Sequence, residues 1–246
     1  MLRTLAVGLF LALYIALAGP PFILHCILTG NADLLYRVGV AGARFALRMA
    51  GVRIRREGLE NIPPGVCIFV ANHSSNVDPP AVVAAIPRRV SLMGKREVWR
   101  IPIFSRALTL AKFVPVDRRN PHAARASSEL AIRFLHEGVS FLIFPEGTRS
   151  PDGRLRPFKR GTFAIAIHAG VPVVPVSVCG AHKLMPKGEF GVRHGELTVR
   201  FHPPLDSTTW VLRLRDVLAH RAHDVVASGL PDDQKPLAEP AHRHSP

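Results

Sequence analysis

The chain has 246 residues, 48% of them hydrophobic, and a formal net charge of +14. This apolar content excludes a wholly disordered chain, and the length suits one domain with a small appendage. The charge calls for an anionic partner, whether nucleic acid, an anionic membrane or a phosphorylated substrate, while three scattered cysteines (Cys26, Cys67, Cys179) exclude a disulfide framework and lean towards a reducing compartment.

Residues 5–19 read LAVGLFLALYIALAG, without a charge. As a helix this run reaches about 22 Å, short of the ~30 Å hydrocarbon core of a bilayer. Pro20 and Pro21 then interrupt it, and PFILHCIL carries the apolar run to Leu28. Three readings compete: a cleaved signal peptide with Ala16-Leu17-Ala18 as its small-residue site, a kinked single span, and a re-entrant hairpin turning at Gly19-Pro20-Pro21. Arg37, Arg44, Arg48, Arg53, Arg55 and Arg56 follow. Dense arginine beside an apolar segment marks a cytoplasmic flank and attracts anionic headgroups. The expectation is a retained anchor in the cell (inner) membrane with the body on its cytoplasmic side. Residues 1–56 would form the anchor and an amphipathic helix over 31–56. No nucleic-acid recognition motif accompanies the basic charge, so nucleic acid is not the expected partner.

From about residue 60 the pattern alternates. Short runs rich in Val, Ile, Leu and Phe predict strands over 66–71, 90–93, 113–116, 139–144, 171–178 and 197–201. The clearest helix is 122–138, with Asn120 as its N-cap, Pro121 at the first helical position and Gly138 at the stop. Strands alternating with helices predict an α/β fold, a mixed sheet flanked by helices. Residues 57–228 would form this body. GLPDDQKPLAEPAHRHSP, from 229 to 246, is proline-rich without an apolar period and predicts a disordered tail.

NHSSNVDPP, residues 72–80, packs polar chemistry between two apolar runs. Asp78 precedes Pro79, which suits a helix start, so Asp78 is expected as the N-cap of a helix running to Ala85. On a regular helix His73 and Asp78 would point about 140° apart. In a loop that folds back onto a helix start they can meet. A carboxylate that holds one imidazole nitrogen makes the other a general base; a structural hydrogen-bonded pair is the competing reading. Ser74 and Ser75 lack a nucleophile elbow, and the remaining histidines show no metal-ligand spacing, so no metal is expected.

Further on, GKREVWR supplies Lys95 and Arg96, and FVPVDRRN ends a predicted strand with Asp117, Arg118 and Arg119. FLIFPEGTRSPDG then runs from an apolar strand into Glu146-Gly147-Thr148-Arg149. Gly147 allows close backbone approach, Thr148 offers a hydroxyl and Arg149 a planar fork suited to phosphate. Glu146 suits holding that arginine or binding a substrate hydroxyl; a surface turn with a Glu–Arg pair is the alternative. VPVVPVSV, with Pro172 and Pro175, suggests an edge strand, a bulge or the wall of an apolar groove.

In this order NHSSNVD, VPVDR, FPEGTRS and VPVVPV are similar to the four sequence blocks of the glycerolipid acyltransferases of the 1-acyl-sn-glycerol-3-phosphate acyltransferase type. The blocks cover about residues 66–178, and FPEGTRS matches letter for letter. The chain departs from many members at Ala111-Lys112-Phe113, where they carry a glycine. The resemblance implies that His73 is the base, Asp78 its orienting partner, and Arg118, Glu146, Gly147, Thr148 and Arg149 the holders of the acceptor phosphate, with Lys95 a neighbour. It implies acyl transfer without a cofactor, from acyl-CoA or acyl carrier protein to a membrane lysophospholipid, 1-acyl-sn-glycerol-3-phosphate giving phosphatidic acid. Lyso-ornithine lipid and lysophosphatidylglycerol are alternative acceptors, and a non-catalytic lipid-binding protein is the reading from another class.

Overall fold

The computed structural model describes residues 2–117 and 120–237. Helix α1 (Leu2–Thr29) leads to α2 (Asp33–Met49), β1 (Val52–Glu57), β2 (Ile68–Ala71), α3 (Asp78–Ala85) and β3 (Val90–Lys95). Then come α4 (Phe104–Leu110), β4 (Val114–Val116), α5 (Pro121–His136), β5 (Ser140–Ile143) and α6 (Gly161–Ala169). Strand β6 (Val173–Cys179), α7 (Ala181–Leu184), β7 (Gly195–Phe201) and α8 (Arg215–Ser228) complete the order. The strands form a seven-stranded sheet in the order β1-β7-β6-β2-β5-β3-β4. Every neighbouring pair is parallel except β6 with β7. This is the expected mixed α/β sheet.

The central strands are apolar on both faces because helices cover both. Phe69 and Ala71 of β2 face a core shared with α2 and α3. Ile68 and Val70 face a second core with α5, α6 and α8. Helix α5 starts as its sequence dictates: the Asn120 Oδ1 accepts from His122 N and Ala123 N, satisfying amides that the first turn leaves unpaired.

Three expectations are corrected, and one choice between stated alternatives is decided in favour of a bulge. Helix α1 runs unbroken through Pro20 and Pro21 for 28 residues. Proline's fixed φ suits a helix, and its cost is the missing N–H donors rather than an obligatory break. The amphipathic helix expected over 31–56 ends at Met49, and residues 52–57 turn into edge strand β1. Gly51, at φ +73, supplies the left-handed turn between them, and VRIRRE has a period of two. Pro175 lies in an interior strand, not at an edge. Its carbonyl accepts from His202 N on the β7 side, so its missing donor falls where the β6–β7 ladder ends. Beyond it Val173 pairs with Leu205, so the partner strand carries an extra residue at this point, which is a bulge.

The third correction concerns the tail. Leu230 is buried against Leu155 and Val226. Gln234 is buried too, accepting from Leu155 N through its backbone oxygen at 2.8 Å and from Gly180 N through Oε1 at 2.7 Å. Arg154 donates to the Lys235 carbonyl at 3.0 Å. One apolar anchor, the buried Gln234 and paired backbone groups suffice to hold this segment despite its prolines; residues 238–246 lie outside the described part. Leu230→Ala is therefore expected to destabilise the protein by about 2 kcal/mol, read as a shift in the chemical-denaturation midpoint. A disordered tail would show no shift.

Candidate active site

Strand β2 ends at Ala71, and the next residue redirects the chain. Asn72 donates through Nδ2 to Val178 O at 2.9 Å and accepts through Oδ1 from Val178 N at 2.7 Å. Its side chain replaces one rung of the ladder to β6. The backbone is thereby free to turn, and His73 emerges at the carboxyl edge of the sheet, where α/β folds place their ligands.

His73 Nδ1 lies 2.8 Å from Asp78 Oδ2. The same oxygen accepts from Ser74 N at 2.7 Å and Ser75 N at 2.8 Å. Asp78 is fully buried. It occupies the first position of α3 rather than the N-cap, which is Val77. The carboxylate turns back to cap the loop instead of the helix, because the loop amides of Ser74 and Ser75 have no other acceptor among the described residues. A carboxylate at a helix start is also favoured by the positive end of the helix dipole. Since it can only accept, Nδ1 carries the proton and Nε2 keeps a lone pair. The His73 ring stacks on Phe144, with centroids 4.4 Å apart, and its side chain keeps 15% of its surface exposed.

The backbone of His73 is held from β5. Its N–H donates to Glu146 Oε1 at 2.8 Å, and its carbonyl accepts from Ser150 N at 2.7 Å. Strands β2 and β5 pair directly, Val70 opposite Ile143, so their outgoing loops meet. Glu146 is buried, and burial pushes its carboxyl up to about 8; the nearby Asp78 charge adds to this, while the His73 N–H and the Arg156 charge oppose it. Its Oε2 has no partner among the described residues.

The other expected residues that are described lie along the same edge. Gly147 adopts φ +77, and its N–H donates to Phe144 O, closing the turn that presents half-buried Thr148 and Arg149. Lys95 ends β3, the neighbour of β5, and pairs with exposed Glu97 at 3.1 Å. Arg118 lies outside the described residues, two positions beyond the end of β4. Ser75 shapes the loop, donating to Met185 O and accepting from Val77 N. Asn72, Phe144 and Ser150 carry positioning contacts that the sequence reading did not assign. All three lie within the blocks NHSSNVD and FPEGTRS, and that membership was their signal. Among the described residues no group of three or more His, Cys, Asp or Glu is placed to hold a metal.

This is a site of one class: a mixed α/β fold that presents a carboxylate-oriented imidazole beside a Gly-Thr-Arg turn. An acyltransferase family profile matches residues 53–179. The 1-acyl-sn-glycerol-3-phosphate acyltransferase of Limnanthes douglasii is 37% identical over 188 residues, covering 76% of this chain and 66% of that protein. The protein of the same name from Pseudomonas aeruginosa is 34% identical over 167 residues, covering 66% and 64%. The crystal structure of the 1-acyl-sn-glycerophosphate acyltransferase PlsC from Thermotoga maritima superposes with a TM-score of 0.78 at 28% identity, covering 93% of this chain and 94% of that one. The chain belongs to the acyltransferase family. It spans about half to two thirds of the length of the curated relatives it matches.

The Glu146 carboxyl gives a pH signature. It is protonated at pH 7 in the folded chain and ionised in the unfolded chain, whose value is 4.5. Folding therefore retains a proton, and stability falls as pH rises from about 4.5 to about 8. Glu146→Gln is expected to remove this slope, so its melting temperature relative to the parent should rise between pH 5 and 8. A difference independent of pH would show that the carboxyl is ionised throughout.

Proposed function

We propose that the protein transfers an acyl chain from an acyl thioester, acyl-CoA or acyl carrier protein, to the free hydroxyl of 1-acyl-sn-glycerol-3-phosphate, giving phosphatidic acid. The observation that carries this reading is the His73–Asp78 contact, which leaves Nε2 as a proton acceptor beside a turn carrying Arg149. The names of the relatives indicate the acceptor.

In this mechanism the acceptor hydroxyl attacks the thioester carbonyl carbon while Nε2 of His73 takes its proton. Asp78 stabilises the imidazolium that forms. The tetrahedral intermediate collapses, the carbon–sulfur bond breaks, and the sulfur leaves as a thiolate that regains the proton from His73. No covalent enzyme intermediate is required. Glu146 and Ser150 act as positioning residues, since they hold the His73 backbone rather than the reacting atoms. The acceptor phosphate is assigned to Arg149 of the carboxyl edge together with Arg118, with Lys95 as a neighbour and Gly147 and Thr148 letting it approach the turn.

Helix α1 supports a membrane location. At 28 residues it extends about 42 Å, more than the hydrocarbon core requires, and Cys26 alone of its described residues is buried. It pairs with α2 through Tyr14 OH to Val38 O at 2.9 Å and through Phe10 against Phe45. In the proposed arrangement α1 anchors the protein in the cell membrane, the catalytic domain faces the cytoplasm, and the arginines of α2 and β1 meet anionic headgroups.

General-base assistance contributes about 10²- to 10⁴-fold to rate. His73→Ala is expected to lower kcat by a factor in that range while lysophosphatidic acid and acyl-CoA still bind, and Asp78→Asn should be severely impaired. The measurement is product formation by mass spectrometry with purified full-length variants. His73→Ala protein that kept most of its turnover would overturn the base assignment.

A further inference from the structure

Lys159 belongs to no sequence block considered above, yet its side chain lies on the Glu146–Arg149 turn. A Cβ built on Gly147 would stand 2.9 Å from Lys159 Nζ and 3.0 Å from its Cε. The ammonium therefore rests directly over this glycine, next to Thr148 and Arg149. The backbone brings the residue to this turn, because Lys159 N donates to Pro145 O at 2.9 Å. Glycine at 147 thus has two roles: it accepts φ +77 and it leaves room for the ammonium.

The charge of Lys159 is not spent within the protein. No carboxylate lies within ion-pair distance of it among the described residues. Asp152 of the same loop is engaged by Ser150 Oγ at 2.8 Å and Arg154 N at 3.1 Å. Lys95, by contrast, is paired with Glu97. A phosphate monoester bears nearly two negative charges and needs more than one cation if it is to leave water. An ammonium offers three donors on a compact charge, which complements the planar fork of arginine.

We propose that Lys159 is a phosphate-binding residue of the acceptor subsite, acting across Gly147 from the same turn as Arg149. This rests on the acyl-transfer reading above for its substrate but not for its ligand chemistry, which is a phosphate monoester. Lys159 is a binding residue and takes no part in the proton transfer.

The test compares full-length protein in detergent with Lys159→Ala and Lys159→Arg. Calorimetric titration with glycerol 3-phosphate should show binding weakened about tenfold or more in Lys159→Ala and largely restored in Lys159→Arg, since one charge-assisted contact is removed and returned. In steady-state assays KM for lysophosphatidic acid should rise by a similar factor while KM for acyl-CoA and the melting temperature stay unchanged. Unaltered phosphate binding in Lys159→Ala, a change confined to the acyl-CoA KM, or a parent protein that binds glycerol 3-phosphate no better than glycerol would each overturn the proposal. The two readings fail differently. Lys159-dependent phosphate binding without acylation of lysophosphatidic acid would reject the reaction and keep the subsite. Acylation that Lys159→Ala leaves untouched would reject the subsite and keep the reaction.

Discussion

A single buried oxygen organises the centre of this protein. Asp78 Oδ2 receives His73 Nδ1 and the amides of Ser74 and Ser75, all within 2.8 Å. Two of these donors are backbone groups that would otherwise be buried without an acceptor, and such groups are costly to leave unpaired. The oxygen therefore folds the loop and orients the imidazole in the same act. The tautomer follows from the loop conformation rather than from a separate device. Proline at 79 and 80 contributes by following Asp78 within the first turn of α3, where a missing N–H leaves no intrahelical bond unmade.

The arrangement depends on strand order. Strand β2 sits between β5 and β6, and each neighbour contributes one restraint on the same short loop. From β6, Val178 takes the Asn72 side chain; from the β5 loop, Glu146 and Ser150 take the two backbone groups of His73. A histidine held at its backbone, its ring face and one ring nitrogen has little freedom left, and this is what preorganisation of a proton acceptor requires. The described C-terminal residues extend the restraint. Gln234 ties the chain after the Glu146–Arg149 turn to the turn that follows β6.

Such a centre has a stability cost. Two carboxyl groups are buried near one another, and Glu146 responds by holding its proton up to about 8. A neutral Glu146 can still accept from the His73 amide, and it leaves the positive charge of the adjoining turn uncompensated. Burial of that carboxyl therefore tightens the histidine and keeps the neighbouring arginine and lysine available to an anion. Both effects follow from placing an ionisable group where solvent cannot stabilise its charge.

By itself the sequence determined the local grammar of the chain. Apolar runs predicted the strands, Asn120-Pro121 the start of α5, and His73 with Asp78 a loop that could close on itself, because these depend on nearest neighbours, period and turn chemistry. It could not decide what distant segments do to one another. The strand start at Val52 is set by pairing with β7, the tolerance of Pro175 by where its ladder ends, and the order at Leu230 by a pocket that Leu155 and Phe158 complete from a distant part of the chain. The role of Glu146 changed for the same reason: in the chain it stands three residues from Arg149, but in the fold its carboxyl meets the His73 amide. Only tertiary structure decided these points, since hydrogen-bond acceptors and buried surface are supplied by whichever elements pack nearby, and sequence distance carries no record of that packing.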